Sequence, residues 1–401
     1  MADWEVRVLQ SDRDYLARNL EIRLGSKKVA TPSRALGASR SSAGDLGLLS
    51  YNEFRSLATF AEVFSSVSIG KLESCLEDNG ERLRYESEVD RVLQRAQGNG
   101  QLPYLMISVQ DNRGDPLNGL PSDQQVDYLL DLLWRPTNAL VLTPLFGNLR
   151  TAKDYLLLIS RINDRRDTID VKPIAVTIPS VYRALTKTVI EECWKAGIRT
   201  FALDLEGRSM GAQGTVITLV NITLGSLSKD AEEPYVLLAL NVKNHIGTGE
   251  FARLHNLMGH AYGFDAVGLN RIRHKGWSAT KPKRTTLLDS IRFLQSRDYG
   301  YLNATEMSRI RKQGREAEFD TPPLVDLTPE TLRKKEPDFV RQAARLHNAV
   351  KDQREERTYR RRIESGDLGS YLDRKRRIQS DLAIVKRLVV AARTQTQMKE
   401  D

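Results

Sequence analysis

Short apolar runs recur along the middle of the chain, each followed by a stretch with apolar residues at helical spacing. The runs are 103–109, 138–146, 172–179, 199–205, 215–222, 234–242 and 264–269. Between them lie amphipathic segments such as SDQQVDYLLDLLW, NLRTAKDYLLLISRI and SVYRALTKTVIEECWKAG. A run with no polar alternation predicts a strand covered on both faces, and repeated βα units make the sheet parallel. With one further strand supplied near the N-terminus or after residue 290, the series predicts an α/β chain built on a (β/α)8 barrel. An open, doubly wound sheet is the competing arrangement, but no glycine-rich phosphate loop follows the first strong strand.

The flanks have other patterns. EVRVLQ and LEIRLG alternate apolar and polar residues and predict short strands, whereas 70–97 predicts surface helices. Residues 280–330 are punctuated by prolines and predict loops, and 328–398 predict helices of high charge density. Three regions follow: 1–100, an N-terminal hairpin and helices; 101–300, the barrel; and 301–401, a basic helical C-terminal region.

Composition narrows the classes. With 40% hydrophobic residues the chain can bury a sizeable core, and its net charge of +9 is compatible with a polyanionic partner. Two cysteines far apart, Cys75 and Cys193, cannot form a Cys-rich zinc site or a disulfide framework. The first residues carry charge and no apolar stretch of a signal peptide, and no apolar run approaches ~18 residues. The expectation is a soluble, cytoplasmic protein with no metal and no redox cofactor.

In a barrel, chemistry sits at the carboxyl ends of the strands and in the loops after them. Those positions hold Asp111 and Arg113, Gly147 and Asn148, Asp204, Glu206 and Arg208, Asn241 and Lys243, Asp265, and then Arg271, Arg273 and Lys275. Carboxylates ringed by arginines suit a phosphate-bearing substrate on which acids act. The plainer alternative is that each acid caps the helix that follows. His255 and His260 lie five apart, which is not the spacing of one helical face. The basic stretch REERTYRRRIESGDLGSYLDRKRRIQSD, with Tyr359 and Tyr371 interleaved, suits phosphate contacts or a solvated face of ion pairs.

Several segments together resemble the tRNA-guanine transglycosylase superfamily, above all its archaeal branch. YLARNLEIRLGSKKVATPSRAL is similar to the entry of those enzymes, a hairpin leading to a Thr-Pro pair (Thr31-Pro32) before the barrel. Asp111 in QDNRGDP matches the first residue of the aspartate-led motif, Gly263-Phe264-Asp265 resembles its Phe-Asp, and His347-Asn348 its terminal His-Asn. The serine, glycine and glutamine that follow the first aspartate in the family are replaced here, and the Cys-x-Cys-x-x-Cys…His zinc site is missing. The resemblance therefore implies a divergent, zinc-less paralogue of the kind that exchanges guanine for a 7-deazaguanine in DNA.

On that resemblance Asp265 is the nucleophile at C1′ and Asp111 the acid/base partner, in a two-carboxylate retaining displacement. Asp204, Glu206 and Asn241 would read the base, and Arg113, Arg208, Arg271, Arg273 and Lys275 would hold phosphates of a flipped-out nucleotide. The implied partners are nucleic acid, DNA slightly ahead of tRNA, and a 7-deazaguanine base such as preQ0, with a homodimer or complex subunit as the assembly. Two rivals stand: a non-catalytic nucleic-acid-binding subunit of a transglycosylase complex, and an unrelated barrel enzyme acting on phosphorylated small molecules.

Overall fold

A computed structural model describes residues 4–38, 59–98, 101–115, 117, 119–134, 138–146, 152–168, 173–179, 183–243, 256–271, 288–321, 324, 327–375 and 378–397. The chain begins with a three-stranded antiparallel sheet, β1 (Trp4–Ser11), β2 (Arg18–Leu24) and β3 (Lys27–Ala30). The alternation expected for EVRVLQ and LEIRLG forms its first two strands. Thr31 and Pro32 then lead into β4 (Ser33–Arg34) and β5 (Leu36–Ala38), separated only by Ala35.

The central sheet is parallel and barrel-like. Its remaining strands are β6 (Phe60–Ser68), β7 (Leu102–Gln110), β8 (Leu140–Leu142), β9 (Leu145–Phe146), β10 (Ile174–Pro179), β11 (Thr200–Asp204), β12 (Val236–Leu240) and β13 (Ala266–Val267). The order is β4-β13-β12-β11-β10-β8-β7-β6-β5, with β9 beside β7. Because β4 pairs with β13 and β5 with β6, segment 33–38 meets both ends of the sheet. The sheet thus draws β4, β5 and β6 from before residue 100, where the sequence pattern allows one further strand.

Helices α1 (Ile69–Glu77), α2 (Asn79–Gly98), α3 (Asp123–Trp134), α4 (Ala152–Thr168), α5 (Arg183–Lys195) and α6 (Gly214–Ala231) fall between the strands. Strand residues alternate between two apolar clusters. Leu105, Ile107, Phe201, Leu203 and Leu237 pack outward with helix residues such as Leu129, Ile190 and Val220. Tyr104, Met106, Ala202, Leu238 and Ala266 point inward and share a cluster with Leu20, Ile22, Leu24 and Val29 of the N-terminal sheet. That sheet therefore closes the amino end of the barrel.

Two expectations are corrected. Residues 215–222, expected as a strand, lie inside α6, where Val216, Ile217, Val220 and Leu224 are buried at helical spacing. A short apolar run bears either periodicity, and the eighteen-residue length decides for the helix. Segment 280–330, expected as loops, contains the hairpin β14 (Phe293–Gln295) and β15 (Gly300–Leu302) and α7 (Ala304–Lys312), capped by Asn303. The C-terminal region is helical as expected: α8 (Pro329–Leu332), α9 (Pro337–Ser365), α10 (Leu368–Asp373) and α11 (Gln379–Gln397).

His347 and Asn348 pin α9 to the hairpin. His347 accepts from Thr321 Oγ1 on Nδ1 (2.7 Å) and donates from Nε2 to the Leu294 carbonyl (2.8 Å), while Asn348 bridges the Leu294 N–H and the Arg292 carbonyl. Tyr359, read as interleaved with surface charge, is fully buried, and the Tyr371 hydroxyl donates to Glu355. Tyr359 is therefore core, whereas Tyr371 is half-buried against it with Lys375 over its ring.

Candidate active site at the carboxyl ends of the strands

Adjacent strands β11 and β12 end level with one another, Asp204 opposite Leu240. Each is followed by a non-glycine residue in the left-handed region, Asn241 at φ 51° and, two residues beyond Asp204, Glu206 at φ 52°. Such conformations cost of order 1–3 kcal/mol each and persist where the surroundings impose them. Here the imposing bonds are visible. The Gly207 N–H donates to the Asn241 carbonyl (2.9 Å), and the Lys243 N–H to the Arg208 carbonyl (3.1 Å). The two turns are thereby knitted together.

They converge on Asp204. Its Oδ1 accepts from the Asn241 side-chain amide (2.8 Å) and from the Glu206 N–H (2.9 Å). Burial raises the Asp204 carboxyl above its ordinary range, and these two donors oppose the shift. Glu206 is pushed up to about 7 by burial first and by the charge of Asp204 second, with Arg208 opposing. Two neighbouring carboxyls, one with N–H donors supporting its charged form and one titrating near neutrality, are the equipment of acid–base chemistry.

The Asn241 amide oxygen accepts from the Arg271 N–H (3.1 Å), which brings the exit of β13 into the site. Arg271 Nε donates to Glu62 Oε1 (2.6 Å), and the Glu62 carboxylate also accepts from the Tyr104 hydroxyl (2.7 Å) and the Leu269 N–H (3.0 Å). The Arg271 guanidinium lies 5.8 Å from the centre of the Phe64 ring. Gly268 makes room for this arrangement, since a Cβ there would lie 2.5 Å from Glu62 Oε2 and 2.8 Å from the Tyr104 hydroxyl. Glu62, Tyr104 and Phe64 were not anticipated. Their signal was present in FAEVFSSVS, where Phe60, Glu62 and Phe64 share one strand face and a lone carboxylate interrupts an inward apolar row.

The structure therefore brings together Asp204, Glu206, Asn241 and Arg271 of the expected residues, with Arg208 exposed beside them. It does not bring Asp265 to them. Asp265 precedes β13 and is level with Leu237 near the start of β12, three residues before Leu240. At a strand rise of ~3.3 Å per residue it lies about 10 Å further toward the amino end than Asp204. There its Oδ2 accepts from Arg18 Nη2 (2.5 Å) and from the Leu237 N–H (2.7 Å), and it is 1% exposed. Arg18 in turn lies over the Tyr235 ring at 3.8 Å. Burial raises the Asp265 carboxyl to about 6 even against Arg18.

Asp111 does follow the last residue of β7, at the carboxyl end, but its Oδ1 is occupied by its own turn. It accepts from the N–H groups of Arg113 and Asp115, both at 2.9 Å. Asp111 and Asp265 thus lie at opposite ends of parallel strands. Arg273 and Lys275 lie outside the described residues, as do Gly147, Asn148 and His255. His260 is buried with Nδ1 against the Phe264 carbonyl, and no cluster of metal ligands occurs among the described residues. Both cysteines are buried and free, and no described helix is long and apolar enough to cross a membrane.

No protein-family model and no curated protein matches the chain.

Proposed function

We propose that the chain is a (β/α)8 barrel enzyme, β4 and β5 counting as one strand, that exchanges a base on nucleic acid at the carboxyl ends of its strands. The substrate class is a guanine nucleotide, in DNA ahead of tRNA, with a 7-deazaguanine such as preQ0 as the incoming base. The observation that carries the reading is the Asp204–Glu206 pair, two carboxyls in different environments, with the Arg271 backbone N–H bonded to the Asn241 amide that also holds Asp204.

In this reading the roles move from Asp265 and Asp111 to that pair. Asp204 attacks C1′ as a carboxylate, its charge supported by the Asn241 amide and the Glu206 N–H, and the bond from C1′ to the guanine breaks. Glu206 gives its proton to the departing base. The incoming base then displaces Asp204 from C1′ and returns a proton to Glu206, so configuration at C1′ is retained. Phe64 and Arg271 offer a ring face and a cation to the flipped base, and Arg208 a phosphate contact.

The test is uptake of labelled guanine or preQ0 into duplex DNA and bulk tRNA offered in parallel, with Asp204→Asn and Glu206→Gln alongside. Uptake into one polymer, abolished in Asp204→Asn, supports the enzyme and identifies its substrate. A second reading, the non-catalytic nucleic-acid-binding subunit, is favoured by the floor position of Asp265 and the self-contained turn of Asp111. It predicts salt-sensitive binding to nucleic acid with no uptake of label.

A further inference from the structure

The three-stranded sheet at the amino end of the barrel has two edges that differ in kind. The β3 edge is four residues long, carries Lys27 and Lys28 and runs into Pro32, so it is poorly built to accept another strand. The β1 edge has eight residues with neither lysine nor proline, and among the described residues β1 pairs only with β2. At its far end the Gln10 side chain donates to the Glu364 carbonyl of α9 (3.3 Å), so the open stretch runs from Trp4 to Leu9. That stretch shows apolar surface to solvent, with Val8 44% and Leu9 49% exposed.

The two faces of β1 carry different chemistry. Trp4 and Val6 pack in part against the inward cluster that this sheet shares with the barrel, while Glu5 and Arg7 stand exposed on the other face. Strand β2 sets Arg23 opposite Glu5 and Glu21 opposite Arg7, so charge already alternates across the exposed face. Glu21 is ion-paired with Arg23 and Lys28, and among the described residues Glu5 and Arg7 are in no ion pair. A second β1, antiparallel about a two-fold axis at Val6, sets the Glu5 of each copy opposite the Arg7 of the other. It also lays each Trp4 against an exposed Val8. Shifting the pairing by two residues puts Glu5 opposite Glu5 or Arg7 opposite Arg7, and a one-residue slip exchanges the two faces. The charges therefore select one register, and the bulge between Val8 and Gln10 ends the ladder at Val8.

We propose that the β1 edge is a homodimer interface, in which Trp4–Val8 of two copies pair antiparallel and join their amino-terminal sheets into one. The contact lies at the amino end of the barrel, away from Asp204, and does not depend on the base-exchange reading.

Sedimentation velocity on the full chain, from about 5 to about 200 µM, tests this. A ladder so short buries less than the ~1,200 Å² of a standard interface, so a weak dimer is expected, with Kd of order 10–100 µM. In the symmetric dimer Glu5→Arg and Arg7→Glu each set like charges opposite one another twice, and each weakens association about tenfold or more. An equimolar mixture of the two variants restores opposite charges at both places and associates about as tightly as the parent. That recovery also shows that both variants are folded. A parent chain that stays monomeric at about 200 µM overturns the proposal and leaves the edge to a strand of a different protein. Single variants that dimerise like the parent overturn it by moving the interface elsewhere, and a mixture that stays monomeric overturns the pairing of Glu5 with Arg7.

Discussion

Replacing Asp265 by alanine is the substitution that separates a floor ion pair from a nucleophile. The carboxylate neutralises Arg18, whose side chain is 11% exposed, and accepts from the Leu237 N–H inside the sheet. Its removal strands a guanidinium over the Tyr235 ring with no counter-charge. Breaking one partner of a buried pair costs about 3–5 kcal/mol, whereas replacing both by apolar groups is often neutral. Asp265→Ala is therefore expected to lose about 3–5 kcal/mol, and the double variant Arg18→Met/Asp265→Leu to recover most of it. If the chain unfolds as one unit, an unfolding entropy of ~2.1 cal/mol/K per residue converts that loss to a fall in Tm of about 4–6 °C. Urea unfolding followed by circular dichroism on the parent, Arg18→Met, Asp265→Leu and the double variant gives the coupling energy directly. A single variant within about 1 kcal/mol of the parent would refute the ion-pair argument. So would a stable double variant that has lost base exchange while the parent has it, since that restores Asp265 as a reacting group.

Three other outcomes follow from the same geometry. If Glu206 delivers the proton, kcat/KM falls as pH rises through about 7, and Glu206→Gln removes that limb of the profile. Gly268→Ala puts a methyl group into the Glu62–Tyr104 contact, with the Ala239 carbonyl only 3.1 Å away on another side. It should cost ~1–3 kcal/mol in urea unfolding, and an unchanged midpoint would show that Glu62 has room to move. His347 is held neutral, its pKa lowered to about 4 by burial from 6.5. The unfolded chain therefore binds the extra proton between those values, so this contribution to stability is present above pH 6.5 and is lost as pH falls toward 4. His347→Gln should flatten the stability profile across that window.

Much of the architecture was legible along the chain. Six of the seven apolar runs lie on strands of the parallel sheet, because a strand covered on both faces has no polar positions to disguise it. The seventh, 215–222, is a helix, since a short, mainly apolar run of eight residues fits both periods. The carboxyls at strand ends were legible too: Asp204, Glu206 and Asn241 were expected together and lie together. Asp265 shows the limit. The pattern puts it in the last apolar run, but only the register of β13 against β12 decides that it faces Arg18 at the amino end.

By itself the sequence determined the strand–helix alternation, the apolar faces and which polar residues stand beside strands, because these depend on local periodicity and on the need to bury surface. Tertiary structure decided which of those residues meet. Glu62 and Tyr104, from β6 and β7, join Arg271 from more than 160 residues away, and Gly268 is required because the Glu62 carboxylate lies where its Cβ would be. Such contacts arise from barrel register and long-range pairing, which fix distances that no local pattern encodes.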